Sequence, residues 1–237
     1  MRTTTACLLT CLLLAGCTPT PTGAGATGGS SVKNTAPVST KQAIVCAMRG
    51  FTGTTPRFAA TDAAKIQIQL QDELGKAVPT LKTVQPDTHG SFTISEVPAG
   101  SYFASASLPD KTTWIALVRT DHPNDNFLSS GSTLATAWAK QQLGSKLIFV
   151  EDLPYPDLLL AAIRLDAALT TKDQTLRDGD DARTAQMTEL VAADANLKDQ
   201  LAAIEKTLVT RAATNLEAPP PYASEAEYAA KKQKVQK

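Results

Sequence analysis

Between Ala43 and Val118 the hydrophobic positions recur with a period of two. Lys65-Ile66-Gln67-Ile68-Gln69-Leu70-Gln71 alternates without a break, with Ile66, Ile68 and Leu70 on one side and Lys or Gln on the other. That is the pattern of a strand with one dry and one wet face. Ala43–Met48 is a short apolar run suited to a buried strand, and Asp72–Gly75 reads as a turn. Further strands are expected at Leu81–Gln85, Ser91–Ser95, Ser101–Leu108 and Thr113–Val118, punctuated by Asp87–Gly90 and Pro98–Gly100. Short strands joined by turns at this spacing predict a small antiparallel β-sandwich over residues 42–118.

The pattern then changes. Arg119–Phe127 is polar and turn-rich, and Ser129–Ser132 offers N-caps for a helix over Thr133–Leu143 that closes at Gly144. Lys146–Val150 is a short β-like run, and Pro154 and Pro156 precede a second helix over Asp157–Leu169. One long helix is expected over Asp181–Thr214, with Asp178, Asp180 and Asp181 placing negative charge at its start. Met187, Leu190, Leu197, Leu201, Ile204 and Leu208 form a three-four seam interrupted at Asp194. The seam fits an intramolecular hairpin with the preceding helix or a coiled coil through which copies self-associate. Pro219–Pro221 break the helix, and Lys231–Lys237 reads as a solvated, frayed basic terminus. The fold class is therefore α+β: a sandwich, then a helical region over 119–216 containing one long helix, then a Pro-rich and basic tail over 217–237.

Residues 1–16 read as a signal peptide. Arg2 supplies a positive charge, and Ala6–Ala15 is almost uninterruptedly apolar but shorter than the roughly 20 residues that span a bilayer. The run ends in Leu14-Ala15-Gly16-Cys17, which resembles the bacterial lipobox. The resemblance implies cleavage before Cys17, a diacylglyceryl group on its thiol and acylation of the new amino terminus. More than one chain matters, because a single acyl chain binds a membrane only marginally. Thr18 stands where an aspartate would mark inner-membrane retention in enteric bacteria, so the outer membrane is the expected site in a host that has one. Residues 17–41, rich in Thr, Pro, Gly, Ala and Ser, read as the lipidated cysteine and a flexible linker.

Asp87-Thr88-His89-Gly90-Ser91-Phe92, followed by Val97-Pro98-Ala99-Gly100-Ser101-Tyr102, resembles the carboxypeptidase regulatory-like, transthyretin-like domain. That family shows an Asp-x-x-Gly-x-Phe turn and strand, then a Leu/Val-Pro-x-Gly-x-Tyr turn and strand. The resemblance covers residues 42–118 and implies an accessory, non-catalytic sandwich. Ala43–Gly50 departs from it, lacking a Gly-x-Val start, and Thr52–Asp62 inserts a longer loop. Lys65 and Glu96 are the nearest candidates for the internal isopeptide bond of some sandwich relatives, and both read as solvated side chains.

Composition narrows the function. Lys and Arg number 23 against 23 Asp and Glu, which excludes a strongly basic nucleic-acid binder. Three of the four cysteines lie within the first seventeen residues, so there is no disulfide framework, and Cys46 reads as a small core residue. His89 lies in a turn; His122 sits in Asp121-His122-Pro123-Asn124-Asp125-Asn126, whose oxygens suit calcium but lack EF-hand spacing. No nucleophile elbow, Walker A loop, dinucleotide fingerprint or HExxH helix is present. No catalytic residue, metal or cofactor is therefore expected.

The sequence favours a membrane-anchored, non-catalytic binding or interaction module in the cell envelope, engaging an envelope protein or polymer. A second reading is an envelope spacer associating with peptidoglycan, since lipid at one end and a final Lys237 resemble the layout of murein lipoprotein. A third is a carbohydrate-binding accessory module with Trp114 and Tyr102 as platforms, although strand alternation favours the core for both.

Overall fold

Two three-stranded sheets carry the alternating segment, in a computed structural model that describes residues 41–51 and 57–236. The first has the order β3-β1-β6 and the second β2-β4-β5, where β1 is Gln42–Met48, β2 Gln67–Gln71, β3 Ser91–Val97, β4 Ser101–Ser107, β5 Thr113–Arg119 and β6 Asn126–Leu128. Ile44, Cys46 and Met48 of β1 point inward, as do Ile68 and Leu70 of β2 and Phe92 and Ile94 of β3. These side chains share one core with residues from the helices that follow.

The expectation of a purely antiparallel sandwich is corrected at one seam. β6 pairs with β1 in parallel, Cys46 against Asn126 and Met48 against Leu128. The cause is a corner. Asn126 is 3% exposed, and its amide accepts from Arg119 N (3.1 Å) and Tyr155 Oη (2.7 Å) while donating to His122 O (2.7 Å). The chain leaving β5 is thereby turned onto the other sheet. The sheet pairing thus runs past Val118. Leu81–Gln85 forms no strand: an isolated bridge between Ile68 and Val84 joins it to β2.

The turn before β3 shows why its residues are Asp and Gly. Asp87 Oδ1 accepts from His89 N and Ser91 N, both at 2.8 Å, and Gly90 has φ of 87°. A Cβ on Gly90 would lie 2.5 Å from Met48 O. The Ser91 and His89 amides, in that order, hold the Asp87 carboxyl below its ordinary value. The folded state therefore favours the ionised form. Its contribution is complete above the ordinary carboxylate range and fades as pH falls through that range toward the lowered folded value. The urea midpoint gap between the wild type and Asp87→Ala should accordingly be wide at neutral pH and close on acidification; a pH-independent gap would overturn this account.

Five helices follow: α1 Ser130–Ser145, α2 Tyr155–Thr171, α3 Asp180–Ala193, α4 Ala195–Glu217 and α5 Glu225–Val235. Helix α1 starts as expected, with Ser129 Oγ accepting from Ser132 N at 3.0 Å, and it runs one residue past Gly144. It lies along the edge strand β5 and satisfies that edge. Ile115 N donates to Thr133 Oγ1 (3.0 Å), Leu117 N to Thr136 Oγ1 (3.2 Å), and Ser132 Oγ donates to Ile115 O.

The single long helix is two. Asp194 ends α3 and caps α4, accepting from Leu197 N at 3.1 Å, so a residue that interrupts the seam is the start signal of the second helix. Leu197, Leu201, Ile204 and Leu208 are buried in the protein's own core, with Leu190 of α3. Lys146–Val150 is not a strand; Leu147, Ile148, Phe149 and Val150 are buried in an irregular segment that ends in a 3-10 turn at Val150–Asp152. Asp152 fastens this segment, its carboxylate accepting from Phe149 N (2.8 Å), Asn215 Nδ2 (2.8 Å) and Tyr222 Oη, with Arg211 Nε at 3.4 Å.

The basic tail is folded rather than frayed through Val235. Ser224 caps α5, Lys231 pairs with Glu73, and the same ammonium lies 4.9 Å from the centre of the Phe149 ring. No residue of α5 is buried, and cavities of about 350 and 530 Å³ flank it.

Candidate functional site

The positions that carry the lipidation motif, Leu14, Ala15, Gly16 and Cys17, lie outside the described residues. Among the described residues no helix is long and apolar enough to cross a membrane, and no group of three or more His, Cys, Asp and Glu side chains is placed to hold a metal ion.

Each chemically interesting residue of the sequence has a definite place. Cys46 is buried in β1, and burial pushes its thiol well above the usual range. His89 is exposed in the Asp87 turn, whereas His122 lies 3.6 Å from Asp125 and packs on Tyr155. In the same Asp121–Asn126 run, Asp121 forms a two-pronged pair with Arg119, and the Asn126 side chain is the buried corner. Lys65 pairs with Asp62 and Glu96 with Lys41, all at the surface. Tyr102 is half-buried and donates to Pro98 O at 3.0 Å. Trp114 is 2% exposed, with Phe58 packed edge-on at 5.4 Å, so it offers no open face for stacking.

One polar concavity is announced by no local motif. A cleft of about 410 Å³ opens where the end of β1, the loop before β2, the start of α1 and the end of α2 meet. Ligand pockets commonly occupy ~300–1,000 Å³. Its polar lining comes from Arg49, Arg57, Ser130, Asp166 and Gln174, with Trp114 in its wall. Gly50, at φ of 100°, turns the chain out of β1, and Phe58 N returns to Gly50 O at 2.9 Å, which places Arg57 beside Arg49's loop.

The charges in the cleft are matched. Asp166 Oδ1 accepts from Gly131 N at 2.6 Å and its Oδ2 lies 3.3 Å from Arg49 Nη1. Burial pushes the Asp166 carboxyl above its ordinary value, opposed by hydrogen bonds from Ser129 and Gly131 and by Arg49. Arg57 reaches Asp110 at 3.1 Å and Ser130 Oγ at 3.4 Å. Both guanidinium groups lie against aromatic rings, Arg49 at 4.3 Å from the centre of Phe127 and Arg57 at 5.1 Å from that of Trp114. These planes hold the arginines in place while leaving spare N–H groups.

Two polar atoms behind this wall are not matched. Among the described residues three buried side-chain polar atoms lack a partner, and two of them, Trp114 Nε1 and Gln174 Oε1, belong to cleft residues. Both atoms are closed off from solvent, so they lie behind the cleft surface and not on it.

No family model, no curated protein and no solved structure matches this chain.

Proposed function

We propose that the protein is a lipid-anchored, non-catalytic binding module of the cell envelope, tethered through Cys17 and presenting the Arg49–Arg57–Gln174 cleft. The membrane half rests on the apolar run that ends in Leu14-Ala15-Gly16-Cys17. The binding half rests on one observation: a cleft of ligand size whose arginines are paired with carboxylates and laid against aromatic rings. The Asp87–Tyr102 turn pattern, similar to transthyretin-like accessory domains, supports a sandwich used as a platform. Asp166 and Ser130 stand on helices α2 and α1, whereas Arg57 and Gln174 reach the cleft from loops.

The mass of the protein and of its terminal peptides, from membranes and from cell-wall sacculi, tests the anchor. The expected result is a Cys17 peptide carrying diacylglycerol and additional acyl mass, with Lys237 unmodified. An amino terminus without lipid would overturn the anchored reading. A muropeptide on Lys237 would replace the binding module by a covalent spacer.

A further inference from the structure

We infer that the trough between α4 and α5 takes a free fatty acid, its chain along α4 and its carboxylate at Lys232. The site shares no residue with the Arg49–Asp166 cleft and goes beyond the binding-module reading. Three observations carry it.

The first is a second apolar stripe on α4. Leu201, Ile204 and Leu208 face the core, yet Val209, Ala212, Ala213 and Leu216 also recur at helical spacing, one, three, four and seven positions along. Val209 and Leu216 are each 52% exposed. Helix α5 lies beside this stripe without closing on it, and the cavity of about 350 Å³ lies between them. The two alanines make the room, while Leu147 and Val235 complete the apolar walls.

The second is charge. Two lining residues are charged, Lys146 and Lys232, and none is a carboxylate. Lys146 is answered by Glu205 at 3.3 Å. Lys232 is half-buried, reaches Tyr228 Oη at 3.4 Å, and among the described residues pairs with no carboxylate. An ammonium group has three N–H donors, so Lys232 keeps two for an anion. It stands on α5 one turn from Val235, so the charge sits beside an apolar wall.

The third is the nature of the walls. They are side chains of two helices, whose backbone groups are spent within the helices themselves. An extended peptide laid here would find no partners for its N–H and C=O groups. A partner's helix would have to approach the stripe from the side where α5 already stands. An acyl chain needs no hydrogen bonds and is retained by the apolar area it buries. Its single polar end then falls to Lys232.

The test uses the full chain carrying Cys17→Ser, so that no attached lipid competes, with Leu and Val methyl groups labelled with ¹³C. Dodecanoate is the probe. Acetate supplies the charge without the chain, and dodecyltrimethylammonium the chain with the opposite charge.

The expected result is a saturable shift of the Val209, Leu216 and Val235 methyls with dodecanoate below its micelle concentration. Acetate should give none, and the cationic chain should bind more weakly. Lys232→Glu should weaken dodecanoate about tenfold and strengthen the cationic chain, the effect of reversing one surface charge. Ala213→Leu, at an exposed position of α4, should fill the trough and abolish the shift while leaving the unfolding midpoint in place. Equal affinity for the two chains would overturn the inference, as would a response that begins only when micelles form. A shift of these methyls on concentrating the protein without probe would overturn it in favour of a second copy. A response to phosphatidylglycerol vesicles without one to dodecanoate would do so in favour of a membrane surface. None of these results touches the anchor, which the Cys17 peptide decides separately.

Discussion

Replacing Gly131 by alanine should destabilise the fold by about 2–3 kcal/mol, against the gain of up to ~1 kcal/mol that alanine brings to an unobstructed helix. A Cβ at this position would lie 2.2 Å from Ala162 O, 2.6 Å from Asp166 N and 2.8 Å from Asp166 Oδ1. Two of those atoms are backbone of α2 and cannot rotate away. The helices must separate, and the 2.6 Å hydrogen bond from Gly131 N to Asp166 goes with them. Gly144 provides the control within the same helix, because nothing lies within 4 Å of its Cβ position. Gly144→Ala should therefore stabilise by about 0.5–1 kcal/mol. Urea unfolding of the two variants should move in opposite directions; equal shifts would show that α1 and α2 are not in close contact.

Removing Asp152 is expected to cost about 3 kcal/mol. Its side chain is fully buried, and it satisfies Phe149 N, the Asn215 amide and the Tyr222 hydroxyl while facing Arg211. Asp152→Ala leaves two buried donors, Phe149 N and one Asn215 N–H, without their acceptor. Asn215 would keep only Leu147 O, at 3.0 Å. The aromatic contact between Phe149 and Tyr222, with ring centres 6.2 Å apart, would loosen as well. Hydrogen exchange should thus accelerate across residues 147–152 and 215–235, while β4 stays protected. A cost below about 1 kcal/mol would reduce Asp152 to the status of a surface pair.

The strands that alternate cleanly were legible in the sequence. Ile66, Ile68 and Leu70 are all buried, with exposed Gln67 and Gln69 between them. Where hydrophobicity is continuous the period carries no information: Leu147–Val150 looks like a strand because it is buried, yet it pairs with nothing. Asp194 was visible only as an interruption because a cap and a gap in a seam use the same residue types. The parallel β1–β6 pair depends on Asn126 meeting Tyr155, 29 residues away. Nothing local encodes that meeting.

The cleft was less legible for the same reason. Arg49, Arg57, Trp114, Asp166 and Gln174 come from five separated stretches, and none stands in a motif. Ser129–Ser132 was readable as a cap, and the cap is real, but its neighbour Gly131 receives its anion from another helix. Charge balance is a property of the assembled surface and appears only in three dimensions.

The hydroxyls that α1 lays along β5 govern how copies of this protein treat one another. An open strand edge is an invitation to pair with the same edge on a neighbour. Thr133 and Thr136 occupy the N–H groups through which β5 would recruit a second strand. On the other sheet, β3 ends at a residue pair where Glu96 takes φ of 61°, a backbone bend that spoils a flat edge. These two edges are thereby closed to strand addition by a second copy.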